Sequence, residues 1–360
     1  MIDEPNAMKA DAVKLSCRNL WKVYGSKPDY YFDTSGYSID VDGLAGRMRK
    51  EDHVPAAIDV SFDVHVGEIF VIMGLSGSGK STVVRCLSRL VDASYGEVLL
   101  DGENLLEKSP KELIEVRRHK MGMVFQNFGL LPHLTVMENV AFPLKLQGKR
   151  LQEQRENAER VIELVGLQGR EDAFPGQLSG GQQQRVGIAR SLVVEPDIWF
   201  LDEPFSALDP LIRHQMQDEF LRIQRVLRKS IVFITHDFLE ALRIADRMAI
   251  MRDGKIVQIG TPTDLILNPA DEYVARFTSE VPRIRLLTTA ACAVPATGDE
   301  SAMPQVPADG LAENLIGKLA EHPEGLSVRD NNGADRGIVT PASLVKALAA
   351  LGQGDTHVAS

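Results

Sequence analysis

"IFVIMGLSGSGKSTVVRCLSRLV" occupies residues 69–91. Its first five residues, Ile69 to Met73, form an unbroken apolar run, the pattern of a strand buried on both faces of a parallel sheet. Apolar residues return at helical spacing from Val83 onward. Between the two, Gly74 to Ser81 fits G-x-x-x-x-G-K-[ST]. A strand before it and a helix after it are the context this pattern needs to grip phosphate. Gly74, Gly77 and Gly79, with Ser76 and Ser78 among them, let backbone N–H groups curl round phosphate oxygens. Lys80 supplies a point charge for the β and γ oxygens, Ser81 a hydroxyl for Mg2+, and Thr82 a reach to the α-phosphate. The ligands implied are ATP and Mg2+.

Ligands of a parallel α/β sheet collect at the carboxyl ends of its strands, so the other strand ends are read next. "DIWFLDEP", residues 197–204, ends a buried strand in two carboxylates. Asp202 suits Mg2+, held directly or through water. The next side chain points differently, so Glu203 faces the γ-phosphate and polarises a water, as a hydrolytic site requires. His236, in "FITHD", is placed to donate to the γ-phosphate or to the water. Gln126, in "MVFQNFGLLPHLTV", ends a further strand. Its amide reaches the metal or the water in one loop conformation and leaves it in another.

A second phosphate-gripping pattern follows about a hundred residues later in "QLSGGQQQRVGIAR", residues 177–190. Ser179, Gly180, Gly181 and Gln182 stand at the start of a helix, where backbone N–H groups and the helix dipole favour an anion. The first loop already wraps one side of the nucleotide. The γ-phosphate keeps an open face, and a second copy of the chain is the economical source of this second donor set. Two chains head to tail would then bury two ATP molecules, and hydrolysis would release them.

"GLSGSGKS", Gln126, "LSGGQ", "FLDEP", "SALD" (Ser206 to Asp209) and His236 stand in the order of the ATP-binding-cassette ATPases. The resemblance covers about residues 13–280. It implies an α/β fold: a RecA-like P-loop NTPase core with an antiparallel β-subdomain and a helical subdomain. It implies that Asp209 of "SALD" touches the opposite subunit, and that an aromatic near the first strand stacks on adenine, for which Tyr24 is the candidate. "GLLPHLTVMENVAF", "FSALDPLIR" and "EALRIADRMAIMRDGKIVQIGTP" resemble the glycine betaine/proline (quaternary amine) uptake ATPases, as does a long insertion between the first two strands. That likeness implies an ATPase homodimer on transmembrane permease subunits, a separate substrate-binding protein, and a place at the cytoplasmic face of the inner membrane. An importer of another small solute such as an amino acid is the alternative, and a cassette protein outside transport a further one.

Residues 13–24 alternate as a strand, and 25–56 break the pattern as an insertion with a short helix near 43–51. Asp253-Gly254 marks a hairpin turn. The cassette is expected to span 1–280, an Ala/Thr/Pro-rich linker 281–308, and a small α/β region 309–360. There "GLSVRDNNGADRGIVTPASLVKAL" resembles one CBS repeat, intact or degenerate. The net charge of −10 argues against general nucleic-acid binding. Cys17, Cys86 and Cys292 are widely spaced, form no CxxC and are expected to be reduced, structural thiols. The acidic N-terminus lacks the apolar core of a signal peptide, and the longest apolar runs are too short to span a bilayer.

Overall fold

The apolar run at 69–73 becomes an interior strand of a six-stranded sheet. The computed structural model describes residues 12–32, 40–126, 128–279, 284, 287–295, 303–330 and 333–352. Parts of the insertion (33–39), of the expected linker (296–302) and of the C-terminal region (353–360) lie outside the described residues. The chain forms two compact units, Met1–Pro262 and Thr263–Ser360.

The first unit begins with β1 (Val13–Tyr24), α1 (Val41–Lys50), β2 (Val54–His65), β3 (Ile69–Met73) and α2 (Lys80–Leu87). It continues through β4 (Tyr95–Leu100), β5 (Glu103–Asn104), α3 (Pro110–His119), β6 (Met121–Val124), α4 (Val136–Leu146) and α5 (Leu151–Leu164). It ends with α6 (Gly180–Leu192), β7 (Ile198–Asp202), α7 (Pro210–Leu227), β8 (Ser230–Thr235), α8 (Phe238–Ile244), β9 (Arg247–Arg252) and β10 (Lys255–Gly260).

Two sheets organise it. One is antiparallel in the order β2-β1-β4-β5. The other runs β10-β9-β3-β8-β7-β6, parallel throughout except for the β9–β10 hairpin. The β9–β10 turn uses Asp253 at φ 52° and Gly254 at φ 85°, the left-handed pair that a two-residue hairpin needs. One apolar core joins the sheets: Leu15, Leu20 and Val64 pack with Phe70, Ile72, Phe200 and Val232, and Val83, Val84 and Leu87 of α2 lie among them. Phe62 stacks on Phe70 with ring centroids 4.8 Å apart. Burying that surface at roughly 25 cal/mol per Å2 holds the phosphate loop between two sheets that cannot shift independently.

The insertion helix expected near 43–51 is α1, which starts at an Asp40 cap accepting from the Gly43 N–H. Its Ala45 and Met48 join Trp21, Val23, Tyr31 and Ile58 in a small core of their own. The inserted segment is therefore folded onto the antiparallel sheet.

The second unit contains α9 (Pro262–Leu267, which straddles the boundary), α10 (Glu272–Thr278), β11 (Gln305–Pro307), α11 (Leu315–Glu321), β12 (Leu326–Arg329), β13 (Asp335–Val339) and α12 (Pro341–Gly352). Its sheet runs β11-β12-β13, with β11 parallel to β12 and β12 antiparallel to β13. The expected boundary near 280 falls inside this unit. The stretch read as a linker is ordered where it is described, because Leu287, Cys292 and Val306 are buried with Leu315, Leu326 and Val339. Its Ala/Thr/Pro composition hides a three-residue strand too short to show a period. The three cysteines are free and buried.

Candidate functional site

Parallel pairing brings four strand ends to one edge of the large sheet. Met73 lies opposite Thr235, Asp202 opposite Ile234, and Leu201 opposite Val124. The residues that follow these ends are the phosphate loop, Glu203, His236 and Gln126. Together they form one open cavity of about 570 Å3. Ser76, Gly77, Gly79, Lys80, Ser81 and Thr82 line it from the loop, and Gln126, Glu203 and His236 from the other ends.

The loop is built so that only glycine fits at its tightest points. Gly79 has φ 101°, and a Cβ there would sit 2.1 Å from the Ala56 carbonyl oxygen. Gly74 has φ 152°, and a Cβ there would sit 2.3 Å from the Met251 carbonyl oxygen and 2.5 Å from Ser78 Oγ. The Gly254 N–H donates to the Ser78 carbonyl at 3.1 Å, so the β9–β10 turn braces the loop from behind. Lys80 is 5% exposed and its Nζ donates to the carbonyls of Gly74 (2.8 Å) and Leu75 (3.0 Å). Burial pulls its ammonium below the usual lysine range, against the pull of Glu203 and Asp202. Ser78 Oγ is buried without a hydrogen-bond partner among the described residues, a polar atom kept within the loop.

Ser81 Oγ donates to Asp202 Oδ1 at 3.0 Å. Burial raises the Asp202 carboxyl above the usual aspartate range, and the Ser81 hydrogen bond and Arg85 oppose that shift. Arg85 stands 4.0 Å from Asp202 Oδ2. Glu203 adopts φ 45°, a left-handed conformation that costs a non-glycine residue about 1 kcal/mol or more. Three hydrogen bonds at its backbone hold it there: its N–H donates to the Ile234 carbonyl at 3.1 Å, and its carbonyl accepts from Ser206 Oγ at 2.9 Å and from the Ser206 N–H at 3.3 Å. The twist turns the side chain toward the cavity. There Oε2 lies 3.2 Å from His236 Nδ1 and 3.5 Å from Gln126 Nε2.

Ser179, Gly180, Gly181 and Gln182 do not line this cavity. They open α6, where Ser179 Oγ accepts from the Gln182 N–H at 3.3 Å and Gln182 Oε1 accepts from the Ser179 N–H at 2.9 Å. This reciprocal cap takes the Gln182 N–H and leaves the Ser179 hydroxyl proton and the Gly180 and Gly181 N–H groups for an outside anion. Gly181 is also a packing glycine, since a Cβ there would sit 2.7 Å from Ile212 Cγ2. Asp209 is exposed and caps α7 by accepting from the Ile212 N–H at 3.1 Å. Tyr24 ends β1 opposite Val54, two residues from Ala56 at the cavity edge, with its ring exposed and Lys22 Nζ 5.0 Å from the ring centre.

The family profile described as ABC transporter matches residues 58–206. The chain is 50% identical over 331 residues to the trimethylamine N-oxide transport system ATP-binding protein TmoW of Pelagibacter ubique, covering 92% of this chain and 96% of that one. The chain belongs to the ABC transporter family, as an ATPase subunit. It is also 54% identical to the glycine betaine/carnitine transport ATP-binding protein GbuA of Listeria monocytogenes, over 76% of this chain and 68% of that one. A dimeric ATP-binding cassette solved in a post-hydrolysis state with ADP and Pi superposes with a TM-score of 0.57 at 30% identity, over 69% of this chain and 98% of that one.

As an ABC ATPase the chain binds ATP. Its residues also fit a divalent cation. The Ser81 hydroxyl against the Asp202 carboxylate gives two adjoining hard oxygens, the donor type Mg2+ takes alongside phosphate oxygens and water. No group of three or more His, Cys, Asp or Glu side chains that could hold a metal ion gathers among the described residues. Reading the sequence missed Ala56, Leu75 and the bracing Gly254, and the role of Arg85 beside Asp202. The hairpin signal at Asp253-Gly254 was visible, but its contact with the phosphate loop depends on sheet order.

Proposed function

We propose that this chain energises uptake of a small methylated amine, a trimethylamine N-oxide or glycine betaine type of solute, through a membrane permease. ATP-driven closure of a head-to-tail dimer would do the work. The observation that carries the dimer is the separation of the two phosphate-gripping sets: Lys80 and Ser81 line the cavity, while Ser179 and Gly180 open outward on α6. A second copy brings its Ser179 hydroxyl and its Gly180 and Gly181 amides to the open side of the γ-phosphate. The dimeric cassette bound to ADP and Pi supports the same assembly. The solute class rests on the names of the relatives.

Each site residue then has a task. Lys80 and the loop amides hold the β- and γ-phosphates; Thr82 reaches the α-phosphate. Ser81 and Asp202 hold Mg2+, which, when bound, neutralises charge on the phosphate oxygens, with Gln126 as a further metal or water contact. Glu203 orients and polarises the attacking water, and His236 holds the Glu203 carboxylate and donates to the γ-phosphate. Tyr24 stacks on adenine, and Asp209 meets the opposite subunit.

No helix among the described residues is long and apolar enough to cross a membrane, so the transport path belongs to permease partners. They meet the chain at the cytoplasmic face of the inner membrane, and a separate substrate-binding protein delivers the solute. An apolar groove of about 480 Å3 beside Phe125, Gly129 and Leu131 supports a permease contact next to the Gln126 loop. Residues 309–360, which run helix–strand–strand–helix (α11, β12, β13, α12), act as a single CBS-like regulatory module.

The test is uptake of labelled trimethylamine N-oxide, glycine betaine and choline in cells with the wild-type gene, a Lys80→Ala gene or no gene. Loss of uptake of at least one solute in both defective strains supports the proposal. Equal uptake of all three in the three strains removes the solute class.

A further inference from the structure

Arg190 lies in the last turn of α6 and is mostly withdrawn from solvent. Its guanidinium donates from Nη1 to the Gly129 carbonyl at 2.7 Å and from Nη2 to the Phe128 carbonyl at 3.1 Å. No carboxylate pairs with it among the described residues. Two neighbouring carbonyls therefore take the place of a counter-ion. Those carbonyls belong to an unusual turn, in which Phe128 (φ 54°) and Gly129 (φ 59°) are both left-handed. The Phe128 N–H closes the turn on the Phe125 carbonyl at 3.2 Å, and Gln126 sits inside it. The same helix opens with Ser179 and Gly180, eleven residues or roughly 16 Å away along the axis at 1.5 Å per residue.

We propose that Arg190 is a positioning residue that locks the turn carrying Gln126 to the body of α6. Helix and turn then move as one piece. When an anion draws the α6 N-terminus, the far end carries the Gln126 amide with it toward or away from Glu203, which it faces at 3.5 Å. The planar fork donates from two separate nitrogens in a fixed geometry, so it sets the orientation of the two carbonyls relative to the helix, which the single, freely rotating nitrogen of a lysine does not. The inference rests on the role proposed above for Gln126.

The test measures ATP hydrolysis by the full chain carrying Arg190→Lys, Arg190→Met, Gln126→Ala, and Arg190→Met with Gln126→Ala. Thermal midpoints are measured alongside. Each Arg190 variant and Gln126→Ala is expected to lower kcat about tenfold, with KM for ATP within about twofold of wild type. The double variant is expected to be no slower than Gln126→Ala by more than about twofold, since both changes remove one linkage. Arg190→Lys is expected to keep its thermal midpoint while losing rate. Wild-type kcat in Arg190→Lys, or losses that multiply in the double variant, would overturn the inference while sparing Gln126. So would a lower midpoint with unchanged kcat per folded molecule. Wild-type kcat in Gln126→Ala would remove both the role of Gln126 and the linkage through it.

Discussion

At the scale of single residues, Glu203 is the group proposed to polarise the attacking water, and its backbone carries the strain. Its left-handed backbone is held from both sides by Ile234 and Ser206, and its carboxylate faces His236 and Gln126. Glu203→Gln keeps the shape and removes the base, so steady-state ATP hydrolysis should fall by about 10²-fold or more while ATP binding persists. A fall of less than about tenfold would assign the water to another group. Gly181→Ala should cost stability. The added methyl meets the stiff, β-branched Ile212, and overpacking of about 1–3 kcal/mol outweighs the roughly 1 kcal/mol that alanine gains in a helix. A urea midpoint at or above wild type would contradict this. Glu240 is nearly buried, and burial raises its carboxyl pKa against the hydrogen bonds of Thr235 and Gln217. A raised carboxyl contributes stability that is full below the unfolded pKa and lost as pH rises through the folded value. Glu240→Gln should therefore gain stability relative to wild type between about pH 4 and 7. A constant difference across that range would count against the buried charge. The placing of Lys80, Ser81, Asp202, Glu203 and His236 at one sheet edge was legible in the sequence, because each lies at or just after a strand end with its partner motif in order. The φ of Glu203 and the reciprocal cap of Gln182 were not, because they depend on β7–β8 register and on how α6 begins.

At the scale of elements, the loop before α4 shows how one buried side chain organises a segment. Asn139 is fully buried; it accepts from the Leu131 N–H at 2.9 Å and donates to the carbonyls of Leu131, Leu134 and Thr135 at 3.0 Å. Asn139→Leu fills the same space but leaves Leu131 and Leu134 backbone groups unpaired, a cost of about 2 kcal/mol. Urea unfolding should show it, and an unchanged midpoint would mean that water replaces the amide. The strands β3, β7 and β8 were legible because each carries an unbroken apolar run, whereas helix α1 was expected near 43–51 inside a segment with no clear period. The linker was misread because β11 has three residues, one of them Pro307, and its burial comes from contacts with β12 rather than from its own pattern. The place of α1 was not legible either. Trp21 and Ile58, which bury it, lie on strands whose pairing the sequence does not state.

At the scale of the whole molecule, the chain divides into two compact units, and the first holds the whole phosphate cavity. Removing 281–360, which leaves α9 and α10 of the second unit in place, takes away the apolar cluster from Leu287 to Leu344 while leaving the phosphate cavity complete. ATP hydrolysis should survive that deletion. Activation of transport by salt should change if the second unit regulates, and unchanged activation would leave it without that role. The central claim is that one chain holds only half of each ATP site. Glu203→Gln, kept from hydrolysing, is the form in which to measure it. The molecular mass of the full-length variant by light scattering, with and without ATP and Mg2+, should be that of a dimer with nucleotide and a monomer without. A monomer in both conditions, at protein concentrations well above the nucleotide affinity, would contradict the shared site.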